Sequence, residues 1–432
     1  MLSYLSLFGS LVAVVGAWMP VARNMTARDG NNLFESRQSY FSNEHKRWLP
    51  NNLPIRGVNL GSMFVVEPWM ASTEWSNVLN CGDTGSEFDC VSMLGQSQAD
   101  TNWANHWSSF ITESDLDTMS DYSLNTIRIP VGYWIWESLK YDSEYFPAGG
   151  LAYLAQICSW AADRGFYIII DLHGAPFAQV GDNADTGQLA ANPTDSNPNF
   201  YQPSQYERAL WFLGNMTAYI HQNSGSTGTM RNVGMLEIVN EPWTGAPSDL
   251  LTSMRQSYYP DAFSTIRAVE NSLGITSNNF LSIQMMNSLW GAGDPTQYLT
   301  DTYLAAYDDH RYLKYDPSVT VSQAGYLSAS CSDNRGGNTP TIVGEWSLSI
   351  ATAQQFDSDF WPIAGDVLSF YQNWFAAQVQ AYEKTSADAV YGWCFWSWKA
   401  QLGDPRWSYV DAVQAGVIPM DLGTIASMTP CG

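Results

Sequence analysis

The chain has 432 residues, enough for one large barrel or two ordinary domains, and its 45% hydrophobic content is ample for a deep core. The balance of 19 basic against 42 acidic residues leaves a net charge of -23, which argues against nucleic acid and anionic membrane surfaces and suits an uncharged substrate at mildly acidic pH. Charged residues are only 14% while aromatic residues are also 14%, with 19 Trp, a composition that serves core packing and also stacking on the apolar faces of sugar rings.

Residues 2–17 form an apolar run broken only by small polar residues and ending Val15-Gly16-Ala17. The segment 1–17 reads as a signal peptide with a small-residue cleavage site, although no Lys or Arg precedes the apolar run. It is too short for a comfortable membrane span, and no later stretch qualifies. Residues 18–47 are a polar pro-segment or linker ending in Lys46-Arg47, which reads equally as a processing site or as two solvated charges. The expected location is therefore secreted and extracellular, where disulfides persist. Six cysteines, at 81, 90, 158, 331, 394 and 431, allow 15 connectivities. Cys81 and Cys90 flank a Gly-rich loop and are the expected local bridge. Cys158 and Cys394 fit buried free thiols equally well. No spacing resembles a zinc site, so neither metal nor cofactor is expected. Asn24-Met-Thr and Asn215-Met-Thr are N-glycosylation acceptors by pattern.

From residue 48 to 432 the chain repeats one grammar: an apolar strand, a polar loop, a helical stretch. A strand over 55–60 opens the domain and is followed by a loop bearing Glu67-Pro-Trp69. Residues 106–119 read as one helix, with Thr112 and Asp115 near its start. The second strand spans 125–130 and leaves Arg128 near its carboxyl end. Residues 151–164 have apolar positions at helical spacing and stop at Gly165, a good helix C-cap. The third strand, 166–173, is continuously apolar, as a strand buried on both faces should be, and ends at His173. A helix over 206–221 precedes the fourth strand, 235–241, which Pro242 terminates. Strands over 280–286, 304–310, 341–345 and 390–396 follow, with a helix around 372–383 before the last. Eight strands alternating with helices imply a single α/β domain, a (β/α)8 TIM barrel.

In such a barrel the carboxyl ends of the strands carry the chemistry. Arg128, His173, Asn240, Glu241, His310, Tyr312, Glu345 and Trp396 all fall there, on one rim. Two carboxyl groups among neutral and cationic hydrogen-bonding groups suit glycoside hydrolysis: one must be ionised to attack, the other protonated to release the leaving oxygen. Arg128 beside a carboxylate holds it ionised. A neighbouring negative charge and partial burial hold the other one protonated.

Taken together, Arg56-Gly-Val-Asn-Leu-Gly61, Ile127-Arg-Ile-Pro130, Asp171-Leu-His-Gly174, Asn240-Glu-Pro242, His310-x-Tyr312, Gly344-Glu345 and Trp396 resemble glycoside hydrolase family 5 over residues 50–432. The resemblance implies a retaining barrel with Glu241 as general acid/base and Glu345 as nucleophile. It also implies that Asn240 binds the sugar 2-hydroxyl, that His310 and Tyr312 orient the carboxylates, with Tyr312 against Glu345, that Trp396 floors the sugar subsite, and that Glu67 and His173 bind its hydroxyls. Longer blocks, residues 61–70, 86–90 and 406–412, are most similar to the fungal endo-β-1,6-glucanases of that family. The implied partner is a β-glucan polysaccharide, acted on by a monomer. An exo-β-1,3-glucanase or transglycosylase of the same family is the alternative. A non-catalytic glucan-binding wall protein is disfavoured, since both carboxylates are intact.

Overall fold

The computed structural model describes residues 54–181, 184–189, 199–242, 248–288, 292–333, 340–383 and 390–432, and of Ala184, Val390 and Tyr391 only the backbone. The segments read as signal peptide and linker, Asn24 and Lys46-Arg47 lie outside the described residues. Eight strands form the barrel: β1 (Ile55–Asn59), β2 (Thr126–Gly132), β3 (Tyr167–Gly174), β4 (Val233–Glu237), β5 (Ser282–Met286), β6 (Ala305–Arg311), β7 (Thr341–Trp346) and β8 (Val390–Phe395). Each is parallel to its neighbours, and β8 pairs with β1 to close the ring. The architecture is the (β/α)8 barrel the strand count implies. The helices around it, in chain order, are α1 (Glu87–Leu94), α2 (Gln96–Ser109), α3 (Glu113–Asp121), α4 (Gly150–Asp163), α5 (Pro203–Gln222), α6 (Ser248–Ser253), α7 (Tyr259–Ser272), α8 (Gln323–Cys331), α9 (Gly365–Tyr382) and α10 (Tyr409–Gln414).

Alternation along each strand sends one set of side chains into the barrel and the other under the helices. Ile55, Tyr167, Ile169, Met235, Ala306, Ile342 and Cys394 form a separate apolar plug inside the barrel. The outward set joins the helices in the main core. Counting two residues up from the plug gives Asp171 and then His173 on β3, Glu237 on β4, and Asp308 and then His310 on β6. The polar layer above the plug is thus built by strand parity.

Several boundaries differ from the sequence reading. The stretch 106–119 is two helices. Thr112 caps α3 in a capping box, its backbone N–H donating to Asp115 Oδ2 at 2.7 Å, which ends α2 before it. β4 stops at Glu237, but Ile238 and Asn240 still donate their N–H groups to Gln284 O and Leu172 O, so the arm up to Glu241 stays between its neighbours. Gly165 closes α4 as expected, with φ +79°. Cys81 and Cys90 are bridged, as expected. Cys331 at the end of α8 is bridged to Cys431, 100 residues on. Cys158 and Cys394 are buried thiols. Asn215 lies on α5, where Thr217 of its acceptor pattern is buried with its hydroxyl donating to Leu213 O. Among the described residues no helix is long and apolar enough to cross a membrane.

Candidate active site

Arg128 is the hub. Its fully buried guanidinium donates through Nη1 to Asn59 Oδ1 and Glu345 Oε1, both at 2.9 Å, and through Nη2 to Glu237 Oε2 at 2.7 Å and Asn240 Oδ1 at 2.9 Å. Asp171 Oδ2 lies 3.0 Å from Nη2. A planar, permanently charged fork can serve this many acceptors where a lysine could not. Asn59, Asp171, Glu237 and Asp308 are members of the cluster that the strand-end reading missed. Their signal was in the sequence as polar residues two before a strand-end site residue, or isolated inside an apolar run. Asn59 also donates through Nδ2 to Gly344 O at 2.8 Å, tying β1 to β7.

Glu345 reaches this hub through an irregularity. The β6–β7 register passes from Asp309↔Val343 directly to His310↔Glu345, leaving Gly344 as the extra residue on β7. Such a bulge re-aims the next side chain, and here it turns Glu345 inward, level with His310. Gly344 must lack a side chain: a Cβ there would lie 2.1 Å from Asp308 Oδ1, which accepts the Gly344 N–H at 2.8 Å. Glu345 Oε2 accepts from the Tyr312 hydroxyl at 2.9 Å.

Glu241 follows β4 in a left-handed conformation, φ +39°, which costs free energy for any residue other than Gly and clusters at functional sites. Its Oε1 lies 2.6 Å from His310 Nδ1, and that same nitrogen is 3.5 Å from Glu345 Oε2. One carboxylate oxygen of Glu241, one of Glu345 and the His310 nitrogen all fall within 4.8 Å of one another. On the other side of the ring, His310 Nε2 is 3.5 Å from Asp308 Oδ2.

Electrostatics in this pocket differ from the sequence reading. Burial opposes a charge on His310, but Glu345, Asp308 and Glu241 outweigh it and hold the imidazolium well above the ordinary histidine range. Burial also opposes ionisation of Glu241, yet the His310 hydrogen bond and charge prevail and keep its carboxyl below the usual value. Glu345 is pushed up by burial and by the Glu241 charge, against the pull of His310 and Arg128. The two shifts therefore run opposite to the expected order, in which Arg128 lowers one carboxylate and the other is raised. The reason is the balance at each group: the His310 hydrogen bond and charge outweigh burial at Glu241, whereas burial outweighs His310 and Arg128 at Glu345. Glu237, beneath them, is raised well above normal by burial, with Arg128 opposing.

The remaining candidates gather around this centre. His173 donates or accepts through Nδ1 with Asp171 Oδ2 at 2.7 Å, and its ring lies parallel to that of Trp396, centroids 5.5 Å apart. Gln179 ties the ends of β3 and β4 together, its Nε2 donating to His173 O and Asn240 O. Glu67 is buried and accepts from Trp69 Nε1 at 2.7 Å. Burial, Asp185 and Glu345 raise its carboxyl well above normal, so it belongs to the same cluster. His106 packs behind, between Glu74 and the Ser62 carbonyl, in a supporting role. All nine residues singled out from the sequence thus lie in or against one buried polar cluster at the carboxyl end of the barrel.

Residues 82–401 match the family described as Cellulase (glycosyl hydrolase family 5). The chain belongs to glycosyl hydrolase family 5. This glycoside hydrolase is 57% identical over 429 residues to the Glucan endo-1,6-beta-glucosidase B of Emericella nidulans, with 99% of each chain covered. It is 28% identical over 419 residues to the Glucan 1,3-beta-glucosidase of Blumeria graminis, covering 88% of this chain and 90% of that one. Its fold is shared with the rutinosidase from Aspergillus niger, at a TM-score of 0.62 and 19% identity over 87% of this chain and 99% of that one.

Proposed function

We propose that this family 5 enzyme is a secreted, retaining endo-β-1,6-glucanase that works by double displacement on Glu345 and Glu241. The observation that carries the mechanism is the short span, within 4.8 Å, between an oxygen of Glu241 and one of Glu345. Retaining glycosidases hold their carboxyl groups about 5–5.5 Å apart, whereas inverting ones leave roughly 6.5–9.5 Å for a water molecule. A Glu345 oxygen attacks the anomeric carbon, the glycosidic C–O bond breaks, and the leaving oxygen takes a proton from Glu241. Water then attacks the glycosyl ester, giving its proton to Glu241 and restoring Glu345. Arg128 and Tyr312 hold the two Glu345 oxygens, and Asn240, with its Oδ1 fixed by Arg128, turns its amide donors toward the sugar 2-hydroxyl. Trp396 supports the sugar face, and Glu67 and His173 bind its hydroxyls.

Glu241 must carry a proton when it acts, although the His310 hydrogen bond and charge lower its carboxyl. Its side chain is 26% exposed, so a sugar in the cleft strips water from it and adds the burial that raises a carboxyl. The 2.6 Å contact to His310 lets the pair redistribute one proton without changing its net charge. The linkage follows the Emericella nidulans relative, at about twice the identity of the 1,3-specific one. Secretion is supported by the apolar start of the sequence and by two disulfides, which persist in oxidising compartments.

The test is digestion of linear β-1,6-glucan and, separately, β-1,3-glucan, with products resolved by size over time. A ladder of oligomers from the 1,6-linked chain alone is expected. Steady release of glucose from the 1,3-linked chain overturns the linkage and the endo mode while leaving the catalytic pair in place.

A further inference from the structure

Two loops place the carboxyl groups Glu67 and Asp185 at the cleft, and both are held by consecutive residues at the start of α1. Glu87 Oε1 accepts the N–H of Val66, next to Glu67, at 2.8 Å. The N–H of Phe88 donates to Gly187 O, two residues beyond Asp185, at 3.0 Å. Asp185 in turn acts on the Glu67 carboxyl. The start of α1 is itself fixed. Ser86 caps it by accepting the Asp89 N–H, and Cys90, one turn in, is bridged to Cys81. Behind Glu67 the loop is gripped again, its N–H donating to Ser62 Oγ at 3.1 Å while His106 Nε2 contacts Ser62 O at 2.9 Å.

We propose that this disulfide-stapled helix start is a clamp that sets the Glu67–Asp185 pair for sugar binding, with Glu87 as its positioning residue, in the protonated form. The proposal rests on the reading of Glu67 as a sugar ligand. Glu87 is fully buried, and its second oxygen has no hydrogen-bond partner. Facing it are the Val66 amide and the Trp103 indole of α2, whose Nε1 is 3.4 Å from Oε1. Of the titratable groups on the packed elements, His106 and Glu74 are bonded to each other at 2.8 Å, and Asp89 is engaged by Ser86 Oγ. None of these supplies a cation to a Glu87 anion, and burial pushes its carboxyl up to about 8. Protonated, Glu87 holds Val66 as a neutral acceptor. Ionised, it leaves a buried charge with one unbonded oxygen, a state relieved by admitting water and releasing the Val66 turn.

The experiment measures kcat and KM from pH 5 to 9.5 for the wild-type chain, Glu87→Gln, Glu87→Leu and Glu67→Gln, on whichever of the two glucans above is cleaved. If ionised Glu87 abolishes productive binding, wild-type KM rises about tenfold one pH unit above its midpoint. Glu87→Gln keeps an acceptor for Val66 and cannot ionise, so its KM is expected to match wild type at pH 6 and to lack the alkaline rise. Glu87→Leu is expected to raise KM at every pH. A wild-type alkaline rise persisting in Glu87→Gln, or a wild-type KM in folded Glu87→Leu, overturns the clamp. A wild-type KM in Glu67→Gln overturns instead the reading of Glu67 on which the clamp rests.

Discussion

With Nδ1 2.6 Å from Glu241 and 3.5 Å from Glu345, His310 serves both glutamates at once, and its charge pulls each carboxyl down, prevailing at Glu241 and losing to burial at Glu345. Its folded value lies above that of a free imidazole, so the stabilisation it contributes is complete below about pH 6.5 and is lost as pH rises through the folded value. Glu241 is depressed, so its share is present above the ordinary carboxylate range and is lost as pH falls through its lowered value. His310→Gln is therefore expected to lower Tm most between about pH 5 and 6.5 and progressively less toward alkaline pH. Calorimetry across pH checks this, and a constant Tm gap would contradict the ion pair. Glu345 has the opposite sign: burial and the Glu241 charge raise its carboxyl, so its ionised form costs stability at neutral pH. Glu345→Gln should lower turnover by a factor on the order of 10⁴ or more while Tm at pH 7 stays level or rises. A large fall in Tm would assign the loss to misfolding. At this scale the rim residues were legible, because a strand ending in Asn240-Glu241-Pro242 or Gly344-Glu345 announces itself. The layer beneath was not: Asp171 and Glu237 sit inside apolar runs, Asp308 opens the polar stretch Asp308-Asp309-His310, and only strand parity sends them toward Arg128. Nor could a sequence show how burial weighs against the cations at each carboxylate, which is why the two shifts run opposite to expectation.

Among the elements, α3 matters to the site beyond its own packing. Asp115, in its first turn, accepts the Thr112 N–H and also the Trp398 indole N–H at 2.8 Å, with Lys399 Nζ 3.4 Å away. It thereby fixes the segment that follows β8, two residues beyond Trp396. Burial works against its charge, but Lys399, Trp398 and the cap bonds keep its carboxyl below normal. Asp115→Asn is expected to cost about 1–3 kcal/mol at neutral pH, measured by denaturant unfolding, with the difference vanishing as pH falls through the lowered value of the native group. An undiminished difference at pH 2 would count against the charge-based account. The Thr112-x-x-Asp115 spacing was visible in the chain, yet 106–119 reads as one helix because both sides of the break keep helical spacing. The three-residue gap, Phe110 to Thr112, becomes apparent only when the cap bond is seen. Strands fared better: a buried parallel strand is a short run of branched apolar residues, and all eight appear within a few residues of their expected bounds. The bulge at Gly344 was not legible, since a bulge is a property of pairing between two strands.

For the molecule as a whole, eight strand–helix alternations were enough to specify closure, because a parallel sheet with right-handed crossovers buries its edges by meeting itself. The local bridge between Cys81 and Cys90 was also foreseeable from its spacing, whereas the partner of Cys331 was not, since residues 100 apart meet only in the finished fold. That second bridge makes a covalent ring of the chain from Cys331 to Cys431, and the ring contains β7, β8, Glu345 and Trp396. In the chain-entropy picture, closing a loop of this length removes about 4.7 kcal/mol worth of freedom from the unfolded ensemble. It has a second consequence for a protein exposed to proteases. A single peptide-bond cut anywhere inside the ring leaves both pieces tethered, so the nucleophile strand stays attached to the rest of the barrel. Limited proteolysis that nicks between β7 and β8 should yield one band without reductant and two with it, with activity declining only on reduction. Two bands before reduction would show that the ring is open.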